Sequence, residues 1–504
     1  MGRDPLGIKP MYWYCRDGLF LFGSQLRAFL QHPDFDRQID SDAVAHFLRQ
    51  GYIHSPLSIF RHTRKLQPGS LLRWRTTDVR PEEWRYMQPE AWGYEQPTFQ
   101  VSEQEALEEL DSRLREGIES QLVSDVPVGA FLSGGIDSSL LVSIFQKLSG
   151  KPVPTYTIGF EQAAWNEAPH ARAIASYLGT DHHELTCTEA DFSALLSVYS
   201  DVYDEPFGDS SGIPSLLLSR MVGRELKVAL GADGADELFG GYAKYRAVHN
   251  TYPAVRRLGM PGLAALALLG RFDPDVVARW ARVIPASRRP TNLAVKFEKA
   301  VRALGAANWQ NSFHEASSVA GRAQVMALCG QLPERLAPLP PPASDRRLAA
   351  LSLIDLHTYL EGDILVKMDR ASMSQGLEVR VPFLDTNLVS FALALPDHFK
   401  IHGGRPKYLL RRLLDRYVPP ALTHRPKQGF ALPLADWLHT TLRPALEDMV
   451  HRTEVQEALG IDAAPMRKLI DHFLTNRPSA DAALVWHLYI LHAWHDRWMD
   501  NAHA

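Results

Sequence analysis

A chain of 504 residues, 45% hydrophobic and 22% charged, has the balance of a folded protein with at least two domains, which excludes a disordered or fibrous chain. Its formal net charge of -4 offers no basic surplus for nucleic acid or an anionic membrane. Its three cysteines, Cys15, Cys187 and Cys329, share no metal-ligand spacing; this excludes a disulfide scaffold and suits a reducing cytoplasm.

Met1-Gly2-Arg3-Asp4-Pro5 holds no signal-peptide core, and the apolar run 263–269 is too short to span a bilayer, so the expectation is a soluble cytoplasmic protein. In chain order, Tyr12-Trp13-Tyr14-Cys15 and Leu19-Phe20-Leu21-Phe22 flank Asp17-Gly18 and predict a hairpin. Ser41 and Asp42 offer N-caps for a helix ending near Gly51, and a strand follows at 70–74. Residues 76–98 are polar, Pro-bearing and aperiodic, and read as a linker.

Beyond it, Leu107, Leu110 and Leu114 share one face of a helix at 102–120. Strands at 128–132, 155–160, 183–186 and 227–230 alternate with helices at 138–148 and 168–178. The order predicts an α/β fold, a parallel sheet with helices on both faces. After Tyr242 the pattern is mainly helical, with a Pro-rich break at 338–342. His182 and His183 adjoin but face opposite sides of a strand, so a shared metal is not expected.

The most informative segment is Phe131-Leu132-Ser133-Gly134-Gly135-Ile136-Asp137-Ser138-Ser139. An apolar strand runs through two glycines into a helix, collecting backbone N–H groups and the Ser133, Ser138 and Ser139 hydroxyls at a helix N-terminus, where anions are favoured. No Lys follows the second Gly, so this is not a Walker A loop. Ser and Gly, with Asp137 to hold Mg2+, suit a reaction that breaks ATP between the α and β phosphates and keeps pyrophosphate cradled. The motif resembles that of the N-type ATP-pyrophosphatases.

A second cluster, Gly231-Ala232-Asp233-Gly234-Ala235-Asp236-Glu237, follows a strand, on the rim where open α/β sheets bind ligands. Three acids so close repel one another unless a cation sits between them. Asp236 is suited to share Mg2+ with Asp137, and Asp233 to face either the reacting carboxyl or an attacking amine.

These motifs, with Thr157-Ile158-Gly159-Phe160, Glu378-Val379-Arg380-Val381-Pro382-Phe383-Leu384-Asp385, Gly404-Arg405-Pro406-Lys407 and residues 425–430, occur in the order seen in glutamine-hydrolysing (class B) asparagine synthetases, which the chain resembles along its length. The resemblance implies an adenine nucleotide α-hydrolase-like ATP-pyrophosphatase domain at 101–504, a linker at 76–100 and, at 1–75, a partial β-rich remnant of an N-terminal-nucleophile glutaminase domain. It implies that Leu132, Ser133, Gly134, Gly135, Ser138, Ser139, Ile158, Gly231 and Ala232 contact ATP, with Asp137 and Asp236 on Mg2+. Asp233 and Lys407 become the catalytic pair, Lys407 being a mobile cation after two glycines that steadies phosphate charge. Lys367 and Arg380 read equally as orienters of anions or as structural ion pairs.

The implied reaction converts aspartate to β-aspartyl-AMP and then, with ammonia or glutamine as nitrogen source, to asparagine, AMP and pyrophosphate. The family also leaves room for a homodimer. Its glutaminase begins with a Cys nucleophile. Here Gly2 follows Met1 and Cys15 lies within a predicted strand, which implies either a fragment or mis-started reading of a complete enzyme, or a truly shortened enzyme using free ammonia. The fragment is expected, because residues 1–74 read as half of a sandwich with exposed sheet edges. Alternatives are a β-lactam synthetase, which has Tyr at the position of Asp233, a macrolactam or sugar-amidating ligase, a tRNA-modifying pyrophosphatase, and a non-catalytic partner subunit.

Overall fold

Asp17 and Gly18 both adopt positive φ, 51° and 80°, forming the two-residue turn that matches strand twist between β1 (Tyr12–Arg16) and β2 (Leu19–Gly23). Cys15 lies inside β1, as the sequence predicts. β3 (Thr63–Lys65) pairs with the other edge of β1, giving an antiparallel sheet in the order β2-β1-β3. The helix α1 (Ser41–Gln50) is capped by the Asp40 carboxylate rather than by Ser41 or Asp42, and it ends at Gly51. Structure is described for residues 1–78, 80–88, 99–160, 166–272, 274–280, 293–333, 346–423, 434–476 and 481–499 of this computed structural model.

Two expectations for this front segment are corrected. Within the stretch read as a linker, β5 (Glu82–Arg85) pairs antiparallel with β4 (Ser70–Arg73); all four of its residues are exposed, so it carries no alternation to read. Nor does the front, read as half of a sandwich with exposed sheet edges, stand uncovered. Tyr12, Tyr14, Phe35, Phe47 and Phe60 share one core with Trp486 and Trp494 of the helix Ala482–Trp498, and the Phe60 and Trp494 rings lie 5.8 Å apart.

The body is a five-stranded parallel sheet in the order β10-β9-β6-β7-β8, from β6 (Val128–Phe131), β7 (Pro154–Phe160), β8 (Asp181–Cys187), β9 (Val228–Leu230) and β10 (Glu378–Arg380). The edge strand β10 is three residues inside a motif known only from the resemblance, and the sequence pattern does not show it. Residues alternate between the faces. Ala130 and Leu230 join the core that also holds residues of α2 (Glu103–Gln121), α3 (Ile136–Ser149) and α4 (Ala168–Leu178). Tyr156, Ala229 and Val379 face the other side, with Val222 of the helix Gly212–Gly223. The remainder is mainly helical, as predicted.

The chain leaves β6 toward β7 and β8, then returns to lay β9 on the other side of β6. That reversal opens a crevice at the carboxyl ends of β6 and β9, the place where such sheets bind ligands. Among the described residues, no helix is long and apolar enough to cross a membrane. Residues 338–342 and 425–430, and 89–98 of the expected linker, lie outside the described residues.

Candidate active site

Both acidic and serine-rich loops issue from strands that flank the crevice, so the topology brings together motifs about a hundred residues apart in sequence. After β6, Leu132 is buried and its N–H donates to the Tyr156 carbonyl at 2.9 Å. Ser133 and Ser138 hydroxyls then lie 3.0 Å apart, and the Ser133 N–H donates to Ser138 Oγ at 3.2 Å. The turn closes with the Gly135 N–H donating to Ser133 Oγ at 3.3 Å. Gly134 has φ of 70°, and a Cβ there would sit 2.8 Å from the Ala171 backbone nitrogen, so only glycine fits. The helix α3 begins one residue later than Gly135, so Asp137 falls in its first turn and Ser139 is fully buried.

After β9, Gly231 donates its N–H to the Arg380 carbonyl at 2.8 Å, which ties this loop to β10, and Ala232 is half-buried beside it. The three acids have three different surroundings. Glu237 is buried, accepts from the Tyr242 hydroxyl at 2.8 Å and is pushed up to about 8, by burial first and then by the Asp236 and Asp355 charges. It is a neutral internal strut rather than part of a cation-binding trio. Asp233 is half-buried and pushed up to about 6 by burial, with Lys367 opposing and Asp236 and Asp137 adding to the rise. Asp236 faces Lys407.

The expectation of a mobile Lys407 is corrected: the residue is buried at the start of the helix Tyr408–Leu414, with φ of 56°. Its ammonium lies 2.6 Å from Asp236 Oδ1 and also pairs with Asp137 Oδ2. Burial would lower its pKa, but Asp137 and Asp236 outweigh that and hold it above the usual lysine range. Gly241 makes the close approach possible, since a Cβ there would collide with the Asp236 carboxylate and the Lys407 side chain. Arg411, half-buried one turn further on, brings a second cation within electrostatic reach of Asp137.

Among the described residues no group of three or more His, Cys, Asp or Glu could hold a metal by itself. Asp137 and Asp236 nevertheless both approach one cationic centre, the Lys407 ammonium, and two hard oxygen donors at such a point suit a divalent ion that takes its other ligands from phosphate or water.

Of the two cations whose role the sequence left open, Arg380 is structural: its guanidinium donates to the Gln121 and Val123 carbonyls at 2.7 and 2.9 Å and pairs with Glu378. Lys367 instead points its ammonium at Asp209, 2.9 Å away. Asp209 and Asp363, both close to Lys367, are not singled out by the sequence pattern. The signal that could have found Asp363 is its place four residues before Lys367 on one helix. Ile158 is buried on β7.

The fold and the rim define an α/β protein whose serine-and-glycine turn and acidic loop each bring one carboxylate to a buried lysine. The chain belongs to the asparagine synthase family, whose model matches residues 109–496. A glutamine amidotransferase domain model matches residues 1–86, a span that includes β5.

Asparagine synthetase [glutamine-hydrolyzing] 1 of Bacillus subtilis is 27% identical over 498 residues, 98% of this chain and 74% of the relative. A putative asparagine synthetase [glutamine-hydrolyzing] of Mycobacterium tuberculosis strain H37Rv is 29% identical over 511 residues, 99% of this chain and 74% of the relative. A second putative synthetase, from Methanocaldococcus jannaschii, is 37% identical over 243 residues, 48% of this chain and 46% of its own.

Proposed function

We propose that this protein is an ATP-dependent amide-forming ligase that adenylates the β-carboxylate of aspartate and passes the acyl group to ammonia, giving asparagine, AMP and pyrophosphate. The observation that carries the reading is the meeting of Asp137, from the serine-and-glycine turn, with Asp236, from the acidic loop, at the Lys407 ammonium.

Ser133, Gly134, Gly135, Ser138 and Ser139 would hold the β and γ phosphates, with backbone donors at the head of α3. Leu132, Ile158, Gly231 and Ala232 would line the adenosine. Asp137 and Asp236 would hold Mg2+, which when bound neutralises phosphate charge and makes pyrophosphate a better leaving group. The aspartate β-carboxylate attacks the α-phosphorus, forming the acyl phosphate bond as the α–β bridge breaks. Lys407, held beside both carboxylates, would turn from them to the negative charge that grows on the phosphates once Mg2+ is bound.

Ammonia, free or released from glutamine, then attacks the acyl carbon, and AMP departs. Asp233 is suited to take the proton that the attacking nitrogen loses, because a carboxylate whose pKa is raised is a better base near neutral pH.

The test is nucleotide product analysis with the purified chain, Mg-ATP, aspartate and ammonium. Formation of AMP, pyrophosphate and asparagine in equal amounts supports the reading. ADP and orthophosphate as products would reject it, and AMP with some other carboxylate would keep the chemistry but replace the substrate.

A further inference from the structure

A helix that is apolar on every face is ordinarily buried. The helix Gly259–Leu269 has no charged or hydrogen-bonding side chain in its 11 residues, yet most of it faces outward. Only Gly262 and Leu266 are buried, on the side that packs against the helix Leu293–Gly305. Met260, Ala264 and Leu268 recur every fourth residue on the opposite side, and Met260 and Leu268 are 78% and 58% exposed. The apolar surface continues past both ends of the helix. Leu258 and Phe272 are exposed, and the Phe272 ring lies 5.9 Å from that of Trp280, itself 61% exposed at the end of the helix Pro274–Trp280.

Arginines bracket this surface. Arg257 and Arg271 stand just before and just after the helix, and Arg279 adjoins Trp280. All three are exposed, and among the described residues none is paired with a carboxylate. In sequence, residues 256–289 hold seven arginines against two aspartates, although the chain as a whole carries a net charge of -4. The whole-chain balance, which offers no basic surplus for an anionic membrane, therefore averages away one strongly basic stretch.

We propose that this face docks on an anionic phospholipid surface. Met260, Leu268, Phe272 and Trp280 enter the boundary between headgroups and acyl chains, while Arg257, Arg271 and Arg279 meet lipid phosphate. A helix of this length reaches about 16 Å, roughly half of a bilayer's hydrocarbon core, so it lies in the interface plane and does not span. A protein partner fits less well. Protein interfaces ring an apolar centre with polar groups, and this helix offers no side-chain hydrogen bond along its whole length. A bilayer asks for none, and exposed aromatic rings beside unpaired arginines are the composition of an interfacial anchor. Docking of this kind is peripheral and reversible, and it uses no residue of the rim.

Co-sedimentation of the full chain with vesicles tests it, comparing equal parts phosphatidylglycerol and phosphatidylcholine with phosphatidylcholine alone. Binding is expected about 100-fold tighter on the anionic vesicles at low salt, and it should fall as salt rises. Arg257→Gln, Arg271→Gln and Arg279→Gln together should weaken it about 100-fold, or about 5-fold for each arginine. Leu268→Ser with Phe272→Ser should weaken it about 30-fold, with the melting temperature unchanged because both side chains are exposed. No sedimentation with anionic vesicles, equal sedimentation with both kinds, or wild-type binding by either variant overturns the proposal. A dimer in sedimentation equilibrium that Leu268→Ser with Phe272→Ser abolishes, in a chain that ignores vesicles, also overturns it and gives the face to a second copy.

Discussion

Two buried charge clusters in this protein use the same ingredients and reach opposite balances. Where the front segment meets the body, Arg3 pairs with Glu361 at 2.7 Å, the two side chains only 2% and 1% exposed. The Arg3 guanidinium also donates to the Lys9, Leu66 and Gly7 carbonyls and to Ser55 Oγ, and Glu361 further accepts from the Ser55 N–H and hydroxyl. Glu361 is met by Arg3 directly and by Lys65 at longer range, and each guanidinium nitrogen of Arg3 has a partner. At the rim, Lys407 alone pairs directly with both Asp137 and Asp236, with Asp233 nearby and Arg411 and Lys367 acting only at longer range. A saturated cluster fixes geometry; a cluster short of positive charge is ready for a ligand that supplies it.

The largest effect that would break this contrast is expected at the rim. Asp137→Ala and Asp236→Ala should each lower aspartate-dependent pyrophosphate–ATP exchange by about 1,000-fold or more, with little loss of stability, since each removes a surplus negative charge. Exchange within tenfold of wild type, with melting temperature sharply reduced, would make the rim the structural cluster. Glu361→Ala should do the reverse: urea unfolding should show a loss of about 3–5 kcal/mol, the cost of a buried arginine left without its partner. Replacing both members, Arg3→Met with Glu361→Leu, should recover much of it.

A finer probe is Gly241→Ala, which presses on Asp236 and Lys407 without touching any charge. Displacing the pair should cost about 100-fold in kcat/KM. Activity close to wild type would mean that the close approach of that backbone does not set the geometry.

The smallest effect is a dependence on pH. Burial would raise the Glu361 pKa, but Arg3, Lys65 and Ser55 hold it below the usual range. A depressed carboxyl stabilises the fold above its unfolded value, about 4.3, and that stability drains away as pH falls from there through the folded pKa. The gap in unfolding free energy between wild type and Glu361→Gln should therefore be full at pH 6 and narrow below pH ~4. A gap that is constant across that range would mean the carboxyl is not held down by its partners.

What the sequence made legible was what is local. The Asp17-Gly18 turn, the bounds of α4 and the glycine-bearing turn before α3 follow from residue chemistry over a few positions. The strand β5 was illegible because a fully exposed strand has no period, and β10 because three residues carry too little pattern. At the site, the motifs announced Asp137 and Asp236, but not that Glu237 turns inward to Tyr242, which depends on packing. Nor could the pattern show that Lys407 is buried, because its partners lie 270 and 171 positions away. The Lys367–Asp209 pair bridges 158 positions, and only the order of strands puts it at the rim.

The stretch Leu356–Ile364 is wound as a π-helix and runs without a break into the helix Leu365–Met373. Glu361 leaves it toward Arg3, and Asp363, two residues on, leaves it toward Asp209. Between them Gly362 lies so tightly under Tyr52 and His54 that no side chain could be added. The helix is thus held by the front segment at Glu361 and Gly362, next to the residue that carries the rim carboxyl. Two carboxyls of one helical turn are committed in different directions, one to the front segment and the other to the rim.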